Sequence, residues 1–499
     1  MTIASIHIFL RRSNLAIAIL LSVCSPILAA GPTPDTATPW RTLTRIDVDA
    51  AYRLLKDNHP AATAEAGDAK FVSALEAAHA KALQRAAAVT NIDGYSATLG
   101  EFANSMGDGH IWSNMQVLPR NVQWAGIIAT KRGADWVVAG DEPKIVGSEL
   151  AGARIVSCDG VAVDELAREI LHFHTVVAVE AMQIVHAGSL LVDDGNPFVT
   201  RPRACTFEIG SKDEVHALNW TKIGYTKLHE TYWKHPYGQA GFGMRALDAG
   251  YWISIQSLEP EAQPVIDSAK AQADKLRNAQ FVVVDLRGNG GGGDSYGRAL
   301  AEVLYGPAYV TSILGPMEDT AGGCASVFRA SPGNIDALAK MVEQFQREGF
   351  VDGAKEYGDA VVAMKAAAAR HDALTGPPTC PANPATAVAG DAPKSLMKAP
   401  VVVLTDALCF SSCINTVDFF RKLGAIQAGD MTGSDTHYSE VREIVLPSGL
   451  STFSTLDAIM PDAPPQIGPF APDFTFTGDI ADTDAVQQWI QQTVLRTGK

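Results

Sequence analysis

The 499-residue sequence lacks several patterns that would assign a chain quickly to a class. Positive charge is in deficit, because 40 basic residues face 55 acidic ones and the formal charge is −15. Nucleic-acid binding needs a basic face, so the sequence predicts no nucleic-acid partner. After the N-terminus no long apolar run is free of charges, and we expect no integral membrane segment in the mature chain. No internal repeat is present.

Cysteine is scarce, and no two cysteines have the C-x-x-C spacing of a zinc site, so we expect no metal centre. Outside the N-terminal segment the chain holds six cysteines. An even number in an oxidising compartment favours disulfides over the alternative of buried free thiols. The simplest pairing joins sequence neighbours: Cys158 with Cys205, Cys324 with Cys380, and Cys409 with Cys413.

The N-terminus has the pattern of an export signal. Arg11 and Arg12 precede a short apolar run, Leu15–Cys24, and small residues follow it up to Ala30. The run is too short to span a bilayer comfortably, which favours a cleaved signal over a membrane anchor. We therefore expect residues 1–30 to be a signal peptide and the mature protein to be exported, with the periplasm as its destination. Its charge would be near −17, from 38 basic and 55 acidic residues.

The order of the predicted elements indicates an α/β chain of several modules. A β-α-β-loop-α order begins at Gly250 and predicts a partly parallel sheet. Within the following insertion, Tyr309–Leu314 is interpreted as a strand. The predicted boundaries are a linker at 31–44, a helical module at 45–115, a β-rich module at 120–220, a core at 240–308 and 396–495, and an insertion at 309–395.

Ser411 lies where a buried strand gives way to a helix. The apolar run that ends at Leu404 has strand character, whereas the spacing from Ile414 to Leu423 is helical. A serine here can project its hydroxyl from a fixed backbone, next to helix amides that have no intrahelical partner. Alternatively, Ser411 and Ser412 are simple capping residues.

A glycine-rich loop follows the strand Phe281–Leu286. Its sequence, Gly288–Gly293, satisfies G-x-G-x-x-G between a strand and a helix, which is the dinucleotide-binding fingerprint, with Glu318 as a candidate ribose ligand. A flexible turn is the plain alternative. The third interpretation is an oxyanion donor for acyl transfer, since glycine lets backbone amides approach a ligand closely. The loop and Ser411 would then meet at the carboxyl edge of one sheet. No G-x-S-x-G elbow is present, so the common esterase pattern is excluded.

Five short motifs in a fixed order resemble the tail-specific (C-terminal processing) serine peptidase family, which includes the core of tricorn protease. The resemblance covers residues from roughly 45 to 495. The motifs are MGDGHI at 106–111, VDLRGNGGG at 284–292, VVLTDALCFSS at 402–412, GDMTG at 429–433 and APD at 471–473. Residues 142–165 resemble the PDZ-type module of that family.

The resemblance implies a fold and a site. The fold would be a mixed sheet with helices, of the ClpP/crotonase-like spiral type, preceded by a helical module and a degenerate PDZ-like module. Ser411 falls on the nucleophile. Gly291, or Gly292 if the register shifts by one residue, falls on the oxyanion hole together with the amide of Ser412. The family implies a polypeptide or peptide substrate and no cofactor.

The general base is where the sequence departs from the family. The Ser-Lys branch carries a lysine after the Thr-x-Gly mark, but residues 433–438 contain none. The tricorn-like branch takes a histidine from the N-terminal turn, which corresponds to His110, with Asp108 as a candidate orienting group. His437 is the rival base. The acid of the tricorn-like branch has no evident counterpart, since Gln466 lies near its place.

Three functions remain in view at this point. The leading hypothesis is an exported serine peptidase with a histidine base. The second is a catalytically impaired pseudo-enzyme that binds peptides with the same groove, because Ile414 and Asn415 replace the glutamate that usually follows the nucleophile. The third is a nucleotide-binding oxidoreductase built on the glycine loop.

Overall fold

A computed structural model describes residues 37–117, 121–315, 326–379 and 393–497. The expected signal peptide, the predicted Cys324–Cys380 pair and Glu318 lie outside the described residues. None of the helices in the described ranges is both long and apolar enough to cross a membrane.

Six strands form the central sheet, which is mixed as predicted. In spatial order they are Phe242–Ala246, Gly250–Ile255, Phe281–Asp285, Val401–Thr405, Ile426–Gly429 and Phe474–Thr475. The first pair is antiparallel, and each later pair is parallel. Residues on the two central strands are buried without exception, because helices cover both faces of the sheet.

Alternate residues of the central strands point to opposite helical layers. Val282 and Val284 pack in the cluster that holds most of the core helices, whereas Val283 packs with Val486 and Ile490 near the C-terminus. These helices are Gln263–Ala271, Ala273–Arg277, Asp294–Tyr305, Pro307–Leu314, Ser412–Lys422, Thr483–Trp489 and Leu495–Thr497, with a π turn at Ile490–Val494.

Two predictions about the core were wrong in detail. The segment 309–314, predicted as a strand, belongs to the helix Pro307–Leu314, which begins with proline at its first position and buries Val310. The single helix of the predicted β-α-β order is two short helices, Gln263–Ala271 and Ala273–Arg277, separated at Gln272.

The N-terminal part is helical, as the periodicity predicts. Its helices are Ala37–Asn58, Ala69–Ala86 and Ile92–Asn104, with a short 3-10 turn at Pro60–Ala62. Asp68 and Asn91 cap the second and third helices by accepting from the backbone amides of Phe71 and Gly94, both at 2.9 Å. The first helix begins at Ala37, so the prediction of a linker over 31–44 was wrong from that residue onward.

Residues 121–224 form an antiparallel module with two sheets. Its strands are Asn121–Trp124, Ile127–Arg132, Asp135–Asp141, Arg154–Cys158, Val161–Ala162, Val192–Asp193, Ala204–Ile209, Lys212–Ala217 and Thr221–Gly224, and its helices are Pro143–Val146, Val163–Leu171 and Glu180–His186. Cys158 and Cys205 are directly opposite on neighbouring strands and form the predicted disulfide. The helical turns Tyr225–Lys227 and Leu228–Tyr232 lead from the module to the core.

A second sheet, which we call the outer sheet, lies between the helical module and the segment 326–379. Its strands are Ser113–Met115, Val327–Phe328, Tyr438–Val445 and Ser451–Ile459. The last strand is buried along its whole length and pairs with the other three. The helices Pro332–Glu348 and Val351–Ala369 pack against its end through Ala458.

The candidate site follows from the register of the central sheet. Val284 pairs with Val403, so the two neighbouring parallel strands end side by side. The glycine loop, defined here as residues 287–293, follows one strand, and the serine turn, residues 406–411, follows the other. Both therefore emerge at the carboxyl edge of the sheet, where ligands bind in open α/β sheets.

Candidate active site

Ser411 has the backbone geometry of a constrained functional residue. Its φ of 55° and ψ of −134° are uncommon for a residue with a side chain. The helix Ser412–Lys422 begins at the next residue. The predicted disulfide joins Cys409 to Cys413 and so encloses Ser411 within one short covalent ring. The turn is thus held from both sides, and the side chain remains partly exposed.

The capping interpretation of the two serines does not describe their contacts. Within the described ranges, Ser411 makes no side-chain capping bond to its helix. Ser412 is buried and its hydroxyl donates to the carbonyl oxygen of Gly292 at 2.5 Å. Ser412 therefore ties the helix to the glycine loop, whereas the hydroxyl of Ser411 is left for other chemistry.

The glycine loop approaches Ser411 at a distance that only glycine allows. A Cβ added to Gly291 would lie 2.8 Å from the Cβ of Ser411, and one added to Gly292 would lie 2.1 Å from the carbonyl oxygen of Leu258. Both glycines have positive φ, 113° and 134°. Any side chain at these positions would force the loop away from the serine.

Most amides of the glycine loop are already used inside the protein. Gly288 donates to Asp406 at 2.7 Å, Gly291 donates to the side chain of Asn289 at 2.9 Å, and Gly293 donates to the carbonyl of Leu258 at 2.7 Å. The helix that follows begins with Asp294, a half-buried carboxylate. A pyrophosphate cradle needs free amides and no anion at that helix start, so this geometry disfavours the dinucleotide interpretation.

The amide of Gly292 differs from those of its neighbours. Across the described ranges it has no hydrogen-bond acceptor, and the same holds for the amide of Ser412 at the start of its helix. A Cβ built on Gly291 would lie 3.2 Å from the Ser412 nitrogen, so loop and helix start are adjacent. Of the two predicted loop donors, Gly292 is thus the one whose amide is not already engaged by a protein acceptor.

Asp294 occupies the space beside the nucleophile helix. Its carboxylate accepts from the side-chain amide of Asn415 at 3.0 Å and 3.2 Å. Burial raises the pKa of Asp294, against the opposing hydrogen bonds from Ser412 and Asn415. The sequence lacks the glutamate that usually follows the nucleophile in the family that it resembles. In the structure, the carboxylate of Asp294, at the start of the helix that follows the glycine loop, lies in this region instead.

His110 is held next to the serine turn by the outer sheet. Ser454 donates its hydroxyl to the carbonyl oxygen of His110 at 2.7 Å and accepts from the amide of Trp112 at 2.8 Å. The imidazole packs on the ring of Phe410, with 4.6 Å between ring centroids. Gly109 makes this contact feasible, since a Cβ there would lie 2.6 Å from the Phe410 ring.

A carboxylate that belongs to none of the sequence motifs, Asp435, lies against His110. Its Oδ1 lies 3.1 Å from Nδ1 of His110, and both side chains are buried. Asp435 belongs to a two-residue strand, Asp435–Thr436, which pairs with Gln466–Ile467. The Asp435 carboxylate therefore lies on the strand that pairs with Gln466, the residue near which the family resemblance would place an acid.

Asp108 is a second carboxylate against His110, as the sequence suggested. Its Oδ1 accepts the backbone N–H of His110 at 2.7 Å and lies 3.4 Å from Nδ1. Its Oδ2 accepts from the hydroxyl of Thr436 at 2.6 Å. Asp108 thus links the His110 turn to the strand that carries Asp435.

The two carboxylates determine the charge of the imidazole. Burial alone would lower the pKa of His110, but the charges and contacts of Asp435 and Asp108 outweigh it and raise this pKa to about 10. Burial also opposes ionisation of Asp108, yet its bonds to His110 and Thr436 bring its pKa below the ordinary value. The two carboxylates therefore favour the protonated form of the imidazole.

His437, the rival base, contacts Tyr438 and Met460. Its ring meets that of Tyr438 edge-on at 4.5 Å between centroids, and its carbonyl oxygen accepts from the amide of Met460. Burial lowers its pKa, opposed by the charge of Asp68 in the helical module. The structure thus brings His110, and not His437, against the serine turn.

Comparison with known proteins finds a matching family model and several similar solved structures. Residues 248–461 match the model of Peptidase family S41. No curated protein sequence matches the chain. Mature CPAF complexed with lactacystin aligns with a TM-score of 0.59 at 12% identity, over 92% of this chain and 100% of that one. Mature CPAF alone gives a TM-score of 0.57 at 12% identity, over 92% and 99%.

The photosystem II D1 C-terminal processing protease aligns more loosely, with a TM-score of 0.35 at 12% identity over 91% of this chain and 98% of that one. The matched family range includes the glycine loop, Ser411 and Asp435, whereas His110 lies before it. The CPAF alignments extend over the rest of the described fold and show that the mixed α/β architecture is shared.

Proposed function

Because residues 248–461 match the model of Peptidase family S41, we propose that the chain is a serine-type peptidase that hydrolyses peptide bonds with Ser411 as nucleophile, His110 as base and Asp435 as the group that orients the base. The single observation behind this assignment is the imidazole of His110 packed at 4.6 Å on Phe410, the residue before Ser411, with Asp435 at 3.1 Å behind it.

The roles follow from which atoms are free. Nδ1 of His110 faces Asp435 and Asp108, so Nε2 is the nitrogen left to accept the proton of Ser411. The serine oxygen attacks the peptide carbonyl and gives a tetrahedral intermediate. The amides of Gly292 and Ser412 then donate to its oxyanion. The imidazolium returns the proton to the leaving amine, and water, activated by the same nitrogen, hydrolyses the acyl-enzyme.

We propose that the antiparallel module presents a peptide chain end to this site. The helix Glu180–His186 of the module packs through Ile184 and Val185 in one cluster with Ala407 and Leu408 of the serine turn. A peptide bound to the module would thus lie close to the nucleophile. Strand addition with capture of a terminal carboxylate is the mode that PDZ-type modules use. Amidating the C-terminus of a peptide substrate should raise KM and leave kcat unchanged, whereas an unchanged KM would refute chain-end recognition.

The two disulfides support the proposal that the protein is exported, because such bonds persist in oxidising environments. The first 30 residues supply the predicted signal. Sequencing the N-terminus of the mature protein recovered from the periplasm should give a start near residue 31. Full-length protein retained in the cytoplasm would contradict this assignment.

A fluorophosphonate probe tests the catalytic proposal directly. The folded wild type should be labelled, and Ser411→Ala should not. His110→Ala should abolish labelling, whereas the matched His437→Ala should retain it. The reverse result for the two histidines would transfer the role of base to His437. A folded wild type that takes no label would favour the peptide-binding pseudo-enzyme.

A further inference from the structure

Three buried side chains in the active site converge as metal ligands would. Nδ1 of His110 and one carboxylate oxygen each of Asp108 and Asp435 all lie within 4.8 Å of one another. Each of the three residues is at most 8% exposed. They come from two segments far apart in the sequence, so the fold itself brings the three ligands together.

The unsatisfied atom in this cluster is Nδ1 of His110. It is buried, with its side chain 8% exposed, and no acceptor or donor of the described residues meets it with hydrogen-bond geometry, although two carboxylate oxygens are close. A buried polar atom without an aligned partner is rare in folded proteins. Its position among oxygen ligands indicates that a cation can replace the missing bond.

The spacing of the ligand atoms fits a tetrahedral ion. Zinc binds imidazole nitrogen and carboxylate oxygen at about 2.0–2.2 Å, so neighbouring ligands of a tetrahedron lie about 3.3–3.5 Å apart. The distances from Nδ1 to the oxygens of Asp108 and Asp435 are 3.4 Å and 3.1 Å. One imidazole with two carboxylates, and a water as the fourth ligand, suits Zn²⁺ better than Mg²⁺, which prefers oxygen ligands alone.

We propose that Asp108, His110 and Asp435 form a zinc site that reversibly switches off the peptidase. The proposal rests on the function proposed above and adds a regulator to the same site. When Zn²⁺ binds Nδ1, that nitrogen gives up its proton to solvent, and the neutral imidazole keeps its remaining proton on Nε2. Nε2 then has no lone pair for the proton of Ser411, and the nucleophile is not activated. A chelator restores the active state.

Binding is tested on the full-length Ser411→Ala protein, so that it does not depend on activity. Titration with Zn²⁺ followed by calorimetry should give one saturable site that is lost in His110→Gln and in Asp435→Asn. Co²⁺ should give the visible absorption of a tetrahedral complex without a thiolate charge-transfer band, which separates this site from cysteine binding. His79→Gln is the matched control, because His79 pairs with a single carboxylate, Asp49, at 2.8 Å.

The outcomes separate the zinc site from the catalytic proposal. The absence of saturable binding, or equal binding after His110→Gln and Asp435→Asn in folded proteins, would overturn the zinc site. Zinc that binds the wild type without reducing fluorophosphonate labelling, at saturating concentration, would overturn the switch. If labelling falls more than tenfold with zinc and returns with EDTA, the proposal is supported. If the wild type takes no label but still binds zinc at these residues, the peptidase assignment and the switch are both wrong, and the zinc site alone is supported.

Discussion

The two halves of the candidate active site are built in different ways. The serine half consists of the serine turn and the glycine loop, which follow adjacent parallel strands. Asp406 accepts from the amides of Gly288 and Gly238, at 2.7 Å and 2.8 Å, and the Cys409–Cys413 disulfide closes the turn. The histidine half has a lighter frame, because His110 lies in a turn before the three-residue strand Ser113–Met115 and Asp435 lies on a strand of two residues. The hydroxyl of Ser454 adds a bond to the carbonyl oxygen of His110.

This difference indicates where the site is sensitive to change. The serine half is fixed by backbone register and covalent bonds, so its geometry depends on the central sheet as a whole. In the histidine half, the position of the imidazole depends on a few side chains: the carboxylates of Asp108 and Asp435, the hydroxyl of Ser454 and the ring of Phe410. Small substitutions there should therefore reduce activity without unfolding the protein, and the following predictions test that expectation.

Asp435→Asn should have the largest effect of the substitutions in the histidine half. An amide at position 435 removes the negative charge that faces Nδ1 of His110 and that favours the imidazolium formed during catalysis, so kcat/KM should fall roughly 1,000- to 10,000-fold. Asp108→Asn is the matched comparison. Its oxygen is farther from Nδ1 and is already bonded to the backbone, so a smaller loss is expected. A larger loss for Asp108→Asn would make that residue the orienting acid.

The activity should rise with pH well beyond neutrality. Since the pKa of His110 is raised to about 10 by its carboxylates, against burial, the imidazole is mostly protonated at neutral pH and cannot act as a base. The value of kcat/KM should increase about tenfold per pH unit between pH 7 and 9 with a substrate that does not titrate. Asp435→Asn should move the midpoint toward the ordinary histidine value. A plateau already at pH 7 would contradict the charge state described here.

The raised pKa of His110 also predicts how the stability of the folded protein changes with pH. A pKa that is higher in the folded than in the unfolded state stabilises the protein fully below the unfolded value and loses that contribution as the pH rises through the folded value. The contribution of His110 should therefore disappear toward pH 10. Thermal unfolding of wild type and His110→Gln between pH 6 and 10 should show a difference that shrinks with rising pH.

Ser454→Ala should lower activity about tenfold, because the carbonyl of His110 and the amide of Trp112 lose their shared partner, and the unfolding free energy should fall by about 1–3 kcal/mol. Ser448→Ala is the matched control on the same hairpin. It removes a bond to Asp47, far along the chain from the site, and should cost stability while leaving kcat/KM unchanged. Equal activity in the two variants would refute a positioning role for Ser454.

Removing the disulfides should have the smallest effects on activity. The disulfide whose loss costs more stability should be the one whose loss affects labelling less. Replacing both Cys158 and Cys205 by serine opens a long loop and should cost about 4 kcal/mol of stability, with labelling of the folded protein unchanged. The same change at Cys409 and Cys413 opens a short ring and should cost about 2 kcal/mol, while labelling slows a few-fold. If the short ring can be opened without slower labelling, it does not position Ser411.

Local patterns allowed the serine half to be predicted. The buried strand before Ser411, the glycine loop and the pairing of Cys409 with Cys413 are all short-range features of the sequence. His110 was also found, but only by its resemblance to a family motif. Its contact with Phe410 joins residues 300 positions apart, and no periodicity encodes such a contact.

Asp435 could not be predicted for a physical reason. It lies on a strand of two residues, which is too short to show an alternating pattern. Its position beside His110 depends on the pairing of that strand with Gln466–Ile467 and on contact with a distant part of the chain. The helix Pro307–Leu314 was missed for a different reason. Its β-branched and aromatic residues favour a strand locally, whereas burial of Val310 against the core decides for a helix.

The ring of Phe410 lies between two glycines, Gly109 and Gly433, which belong to the turns that lead to His110 and Asp435. The three parts of the site can therefore close around this ring only after the chain has been made past Asp435 and has folded back on its beginning. A nascent chain that ends before Asp435 contains Ser411 and His110 but not Asp435. The candidate site is therefore complete only in the folded chain, where the three side chains meet at the Phe410 ring.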